Sequence, residues 1–355
     1  MKGRYMRRTP ATDRPVFHAG PNQGRQGWRF VVILALLLSL SGCAWLETRQ
    51  RQLALRPTPG PPAGQPAEDW WFRPGDEAFM LEVPADPKLS PGPGPDRLAL
   101  WWLPHADPDA PTLLYLHGTF RNLYGNRPKI QALRELGFSV LAVDYRGWGE
   151  STALVPTEAS ITADAQVAWR ELQKRQPLPA RRVIYGHSMG GAVAVRLASG
   201  LNGSLDGSLD GGLNGRLNGR LNVGSDYAAL VLESTFTRLP DVAAEAGFWG
   251  RIAAAFTTLE FDSMSRIGRI DAPLWMLHGS ADQTVPVQLG RRLRDAAPPG
   301  VRWVEIPGGT HSRLHSEAPE MYRDTFRELM RQITTPATPA TPATLVTPAP
   351  SAIRP

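Results

Sequence analysis

Cysteine is nearly absent: Cys43 is the only one in 355 residues, which excludes a disulfide framework and any zinc site built on thiolates. The apolar run at 30–40, FVVILALLLSL, would extend about 16 Å as a helix, too short for a bilayer core of about 30 Å. An excess of charge is also missing from most of the chain. The net +6 lies wholly in residues 1–42, where Lys2, Arg4, Arg7, Arg8, Arg14, Arg25 and Arg29 face only Asp13. After Gly42 basic and acidic side chains balance, which removes the electrostatic argument for nucleic acid as a partner. What remains is 42% apolar residues, enough for an ordinary core in one large domain or two small ones.

The first segment has the order of a secretory signal: basic residues, a short apolar stretch, then Leu40-Ser41-Gly42-Cys43. This resembles the lipobox of bacterial lipoproteins, so 1–42 is expected to be a signal peptide and Cys43 the lipidated first residue. The resemblance implies a protein lipid-anchored to the cell envelope on the periplasmic side, and Ala44 after the cysteine favours the outer membrane. Acylation would hold the chain at the membrane without a spanning helix. Residues 43–68, with RPTPGPPAGQP and no apolar period, read as a Pro/Gly-rich tether.

From Asp69 short apolar runs alternate with turn signals. Residues 79–83 and 98–103 suit an antiparallel pair; 112–116, 138–143, 182–185, 228–232, 274–277 and 302–306 read as strands. Helical spacing covers 129–136, 159–176, 190–199 and 319–332. Strands alternating with helices predict an α/β fold with a mostly parallel sheet over 69–333. Two segments stand outside it. Residues 201–224 repeat a tetrapeptide (LNGS, LDGS, LDGG, LNGR, LNGR, LNVG), with leucine every fourth position and glycine disfavouring a helix; a disordered insertion is expected. Residues 334–355, rich in TPA units, read as a disordered tail.

Chemistry concentrates in three places. Gly186-His187-Ser188-Met189-Gly190 sits between a strand and a helix, where a sharp turn lifts the serine above the sheet edge. A serine hydroxyl needs a base within hydrogen-bond reach and a carboxylate that orients the base. His311, in a glycine-containing loop after the last strand, is preferred to His315, which is read as a solvated residue at a helix start. Asp282, beyond a strand end, is preferred to Glu233 and Asp144, the latter read as fixing a turn. Oxyanion donors are expected from the Met189 backbone N–H and from Thr119 or Phe120 in the loop His117-Gly118-Thr119-Phe120. His117 is read as a loop-fixing group.

The segments LHG, DYRGWGES, YGHSMGG, LESTFTRLPD, HGSADQTVP and GGTH occur in the order seen in α/β-hydrolases. Together they resemble the BEM46-type serine hydrolases over roughly 79–332, with Thr119 where an asparagine is usual. The resemblance implies an α/β-hydrolase fold, a Ser188–His311–Asp282 triad, a small-molecule or lipid-derived ester or thioester as substrate, and no metal or organic cofactor. A short cap is expected at 238–267 after the sixth strand; its Phe248, Trp249, Ile252, Phe256 and Leu259 either cover an acyl chain or form ordinary helix core. A serine peptidase and a non-catalytic binding lipoprotein are the alternatives; an epoxide hydrolase or dehalogenase would need aspartate at 188.

Overall fold

The computed structural model describes residues 45–61, 71–90, 92–201 and 226–334. Cys43, the signal at 1–42, the tail from 335 and the repeat beyond Leu201 lie outside the described residues. Contacts divide the chain into Met1–Arg49 and Gln50–Pro355; the second unit holds the sheet. Among the described residues no helix is long and apolar enough to cross a membrane.

The eight strands are β1 (Glu77–Val83), β2 (Asp96–Leu103), β3 (Thr112–Leu116), β4 (Ser139–Asp144), β5 (Arg182–His187), β6 (Ala229–Glu233), β7 (Leu274–Gly279) and β8 (Arg302–Ile306). They form one sheet in the order β1-β2-β4-β3-β5-β6-β7-β8. β1 pairs antiparallel with β2, and β2 with β4; every later pair is parallel. Parallel strands need helical crossovers, and these cover both faces. Period-two alternation divides the core: Leu113 and Tyr115 of β3 join one buried cluster, Leu114 and Leu116 the other. The α/β-hydrolase architecture expected from the sequence is therefore the one observed.

The principal crossover helices are α2 (Leu123–Glu135), α3 (Glu158–Arg175), α4 (Met189–Leu201) and α8 (Val287–Asp295), and α10 (Pro319–Thr334) follows the last strand. Helix α3 opens on a capping box: Thr157 Oγ1 accepts from Ser160 N and Ser160 Oγ accepts from Thr157 N. Helix α2 begins six residues before the expected 129. Pro128 lies inside it and cannot donate to the Tyr124 carbonyl, yet Arg127 Nε donates there at 3.0 Å. Asn122 caps the helix, its Oδ1 accepting from Gly125 N at 3.3 Å.

The expected tether is corrected in part. Residues 45–55 (α1) are helical, and Leu55 is fully buried in the same cluster as Tyr145 and Trp148. Prolines 57 and 59 lack an N–H, but this segment attaches mainly by its carbonyls, so proline does not prevent docking. The cap comprises α5 (Leu239–Glu245), α6 (Phe248–Phe256) and α7 (Met264–Ile267). Phe248 and Ile252 are exposed while Leu259 enters the core. Helix α9 (Leu314–Glu317) precedes α10.

Candidate active site

The turn from β5 into α4 places Ser188 at the carboxyl edge of the sheet. Its φ of 56° is left-handed, a conformation that non-glycine residues adopt only when their surroundings enforce it. The enforcement is visible: Ser188 N donates to Glu233 O at 2.9 Å, and the Ser188 carbonyl accepts from Gly191 N and Thr235 Oγ1, each at 2.9 Å. A Cβ on Gly186 would strike the Gly190 carbonyl, and one on Gly190 would strike the carbonyls of Leu116 and His117. Both positions must be glycine for the turn to close.

Asp282 follows β7. Its Oδ1 accepts from Thr284 N and Val285 N, each at 2.9 Å, and its Oδ2 accepts from His311 Nδ1 at 2.7 Å. His278 Nε2 lies 3.4 Å from the same oxygen while donating to Val285 O at 2.9 Å. Burial raises the Asp282 pKa, but the hydrogen bonds from His278, His311 and Val285 outweigh it and hold the carboxyl well below the usual range. An ionised carboxylate only accepts, so Nδ1 of His311 carries the proton and Nε2 has a free lone pair. That Nε2 is buried and makes no hydrogen bond, to the Ser188 hydroxyl included. Gly279 stands against Gly309 so closely that a Cβ would strike the Gly309 carbonyl. This approach brings the His311 loop over the end of β7.

Ser188 and His311 line one cavity with Gly118, Thr119, Phe120, Arg121, Asn126, His187 and Ser312. Its volume is about 10 Å³, close to the threshold for a single water. A Cβ on Gly118 would lie 3.0 Å from Ser188 Cβ and 3.4 Å from Ser188 Oγ, so the loop after β3 passes directly over the hydroxyl. Thr119 is buried; the Phe120 side chain is 46% exposed at the mouth. Met189 opens α4, where the first-turn N–H groups have no intrahelical acceptor. The structure thus brings together Ser188, His311, Asp282, Met189, Thr119 and Phe120, the triad and oxyanion candidates selected from the sequence; the seventh selected residue, Cys43, lies outside the described residues.

The competing groups are occupied elsewhere. Glu233 is fully buried, its carboxylate bound by Lys129 Nζ and by the hydroxyls of Tyr185 and Tyr322. Asp144 Oδ1 accepts from Leu123 N at 2.9 Å and lies 3.3 Å from His117 Nε2. His117 Nδ1 stands 2.6 Å from the Gly118 carbonyl. His315 corrects its expectation: it is half-buried against Tyr322 rather than solvated, and burial lowers its pKa.

Three contributors escaped the sequence reading. His187 Nε2 donates to the His311 carbonyl at 2.9 Å, and burial first, then Lys129 and His311, push its pKa well below 6.5. Trp148 Nε1 donates to the Thr119 carbonyl at 3.0 Å and fixes the loop over Ser188. Lys129 lies buried beneath the site, paired with Glu233. His187 stands inside the serine motif and was open to notice; Trp148 and Lys129 lie 40 and 59 residues before Ser188, without a local signal.

Residues 113–325 match the alpha/beta hydrolase family. The chain belongs to that family. It is 31% identical over 214 residues to the zebrafish (Danio rerio) lysophosphatidylserine lipase ABHD12, covering 56% of this chain and 50% of that protein. It is 31% identical over 182 residues to protein bem46 of Schizosaccharomyces pombe, covering 50% of this chain and 52% of the other. The chain thus spans about half the length of each, and its kinship with BEM46-type proteins agrees with the motifs. The fold resembles the Pyrococcus furiosus esterase Pf2001, with a TM-score of 0.54, 20% identity, and coverage of 78% of this chain and 98% of that one.

Proposed function

We propose that this chain is a serine hydrolase cleaving a carboxylic ester or thioester of lipid origin, tethered to the membrane through a lipid on Cys43. The proposal places it on the periplasmic side of the cell envelope, at the outer membrane. The observation that carries the chemistry is the His311–Asp282 bond, which leaves Nε2 bare in the cavity that Ser188 also lines. The zebrafish relative named a lysophosphatidylserine lipase supports a lipid ester as the substrate class.

In this reading Ser188 Oγ attacks the carbonyl carbon while its proton passes to His311 Nε2. Asp282 stabilises the imidazolium that forms. Negative charge on the carbonyl oxygen is met by the Met189 N–H and by an N–H from Thr119 or Phe120. The tetrahedral intermediate collapses as His311 protonates the leaving alcohol or thiol, giving an acyl-Ser188 ester. Water, deprotonated by His311, then releases the acid. The Ser188–His311 hydrogen bond, open in this state, must form as substrate enters, a tightening common in such sites. A cavity of about 10 Å³ cannot hold an acyl group, so entry displaces side chains at its mouth.

Ser188→Ala is expected to abolish both fluorophosphonate labelling and p-nitrophenyl ester hydrolysis; undiminished turnover in that variant ends the proposal. Short peptides assayed beside short and long acyl esters distinguish an esterase from a peptidase. A folded protein that no broad serine probe labels would instead point to a binding lipoprotein.

A further inference from the structure

The cavity over Ser188 is bounded by a loop that residues ahead of the sheet hold in place. Leu55 is fully buried, and Ala54 packs against the same cluster. From that anchor the chain runs as a strap across two loops. Asn122 Nδ2 donates to the carbonyls of Gly60 at 3.0 Å and Thr58 at 3.3 Å. Gly149 N donates to Thr58 O at 2.9 Å, and Gly60 N donates back to Gly149 O at 2.6 Å. Pro59 thereby forms a parallel bridge with Gly149. The Arg56 guanidinium lies 4.8 Å from the Phe120 ring centroid. Asn122 stands three residues past Thr119, and Gly149 follows Trp148, whose indole holds the Thr119 carbonyl. Both attachments therefore converge on the segment expected to supply an oxyanion donor.

We propose that residues 54–60 are a positioning element of the active site: the strap holds the 117–122 loop where its N–H meets the oxyanion. This rests on the reading of Ser188 as the nucleophile. The physical reason is steep distance dependence. A donor displaced by about 1 Å costs roughly a hundredfold in rate, and loops held only at their ends drift that far. The hydrogen bonds of the strap go to Asn122 and Gly149, neither of which lines the cavity, so their loss lowers kcat more than it raises KM. It also makes the membrane tether continuous with the site: the polypeptide expected to carry the lipid passes through the strap before it reaches the domain.

Two variants of the full chain test this. Asn122→Asp keeps an oxygen to cap α2 but replaces the two strap donors with a carboxylate that repels the same carbonyls. Gly60→Pro removes the N–H that bonds Gly149 and cannot adopt the φ of 81°; an added Cβ there meets nothing within 4 Å, so the strap is released without disturbing the core. Each is expected to lower kcat at least about tenfold, with KM within about threefold and melting well above the assay temperature. Fluorophosphonate labelling should slow in parallel. Ser188→Ala is run beside them. Turnover surviving in Ser188→Ala removes the premise, and the proposal with it. Turnover lost in Ser188→Ala but kept within twofold in folded Gly60→Pro overturns the strap alone, as does a lower melting temperature with unchanged kcat. Should Asn122→Asp misfold, Gly60→Pro still decides.

Discussion

Asp282 shows how one side chain is specialised by its neighbours. Four N–H groups surround its carboxylate, from Thr284, Val285, His278 and His311, and together they favour charge over the cost of burial. Replacing it by asparagine supplies an amide donor that can bond Nδ1 in the wrong tautomer. Asp282→Asn is expected to lower kcat by about 10³–10⁴ with little change in KM, measured on an activated ester. Lys129 presents the opposite problem. Burial lowers its pKa and the Glu233 charge pulls it back up; removing the ammonium would strand a carboxylate that has no exposed surface. Lys129→Met should therefore cost about 3–5 kcal/mol of stability, read from urea unfolding. Smaller losses would mean that Tyr185 and Tyr322 alone satisfy Glu233.

The elements that matter most are the two turns at the carboxyl edge and the helix between them. Local signals defined the β5–α4 turn, because the glycines that permit close backbone approach flank the serine directly. The helix α2 was legible only from 129. Pro128 and Gly125 argue locally against a helix, and the compensation, Arg127 Nε on the freed Tyr124 carbonyl, is visible only in three dimensions. Helix α1 shows the same limit: its residues 45–55 hold no proline or glycine but lead into a Pro/Gly-rich stretch, and nothing in that order tells that Leu55 docks into the core. Leu55→Ala is expected to destabilise the domain by about 2–5 kcal/mol, as for other buried leucines. A melting temperature unchanged by that substitution would show the strap's anchor to be superficial.

For the molecule as a whole, histidine burial sets a pH dependence. His187 and His315 both have pKa values lowered below 6.5, chiefly by burial. As pH falls through about 6.5 the unfolded chain takes up protons at these positions while the folded protein does not, so stability drops. It is fully present above that value and declines toward the lower folded pKa. Thermal melts between pH 8 and pH 5 should show this decline, with a shallower slope in His187→Asn. An identical slope in that variant would assign the effect to other groups. The tetrapeptide repeat lies between α4 and β6 in the chain, whereas Ser188 adjoins the opposite, N-terminal end of α4. Deleting 202–224 is expected to leave ester turnover largely unchanged, and a loss of turnover with the fold intact would show otherwise.

Fold class and strand order along the chain were readable from the residues, and Ser188, Asp282 and His311 could be selected there as candidates. The reason is that each depends on local chemistry: apolar periodicity, glycine at a tight turn, a polar residue just past a strand end. Convergence was another matter. Ser188 and His311 are 123 positions apart in the chain, and only the parallel sheet, by ending β5 through β8 at a common edge, brings their loops to one cavity. The docking of Leu55, the Trp148 bond to Thr119 and the burial of the Lys129–Glu233 pair likewise have no signature in sequence. They are set by which surfaces the folded backbone brings into contact, and a residue's own neighbours in the chain carry no record of that.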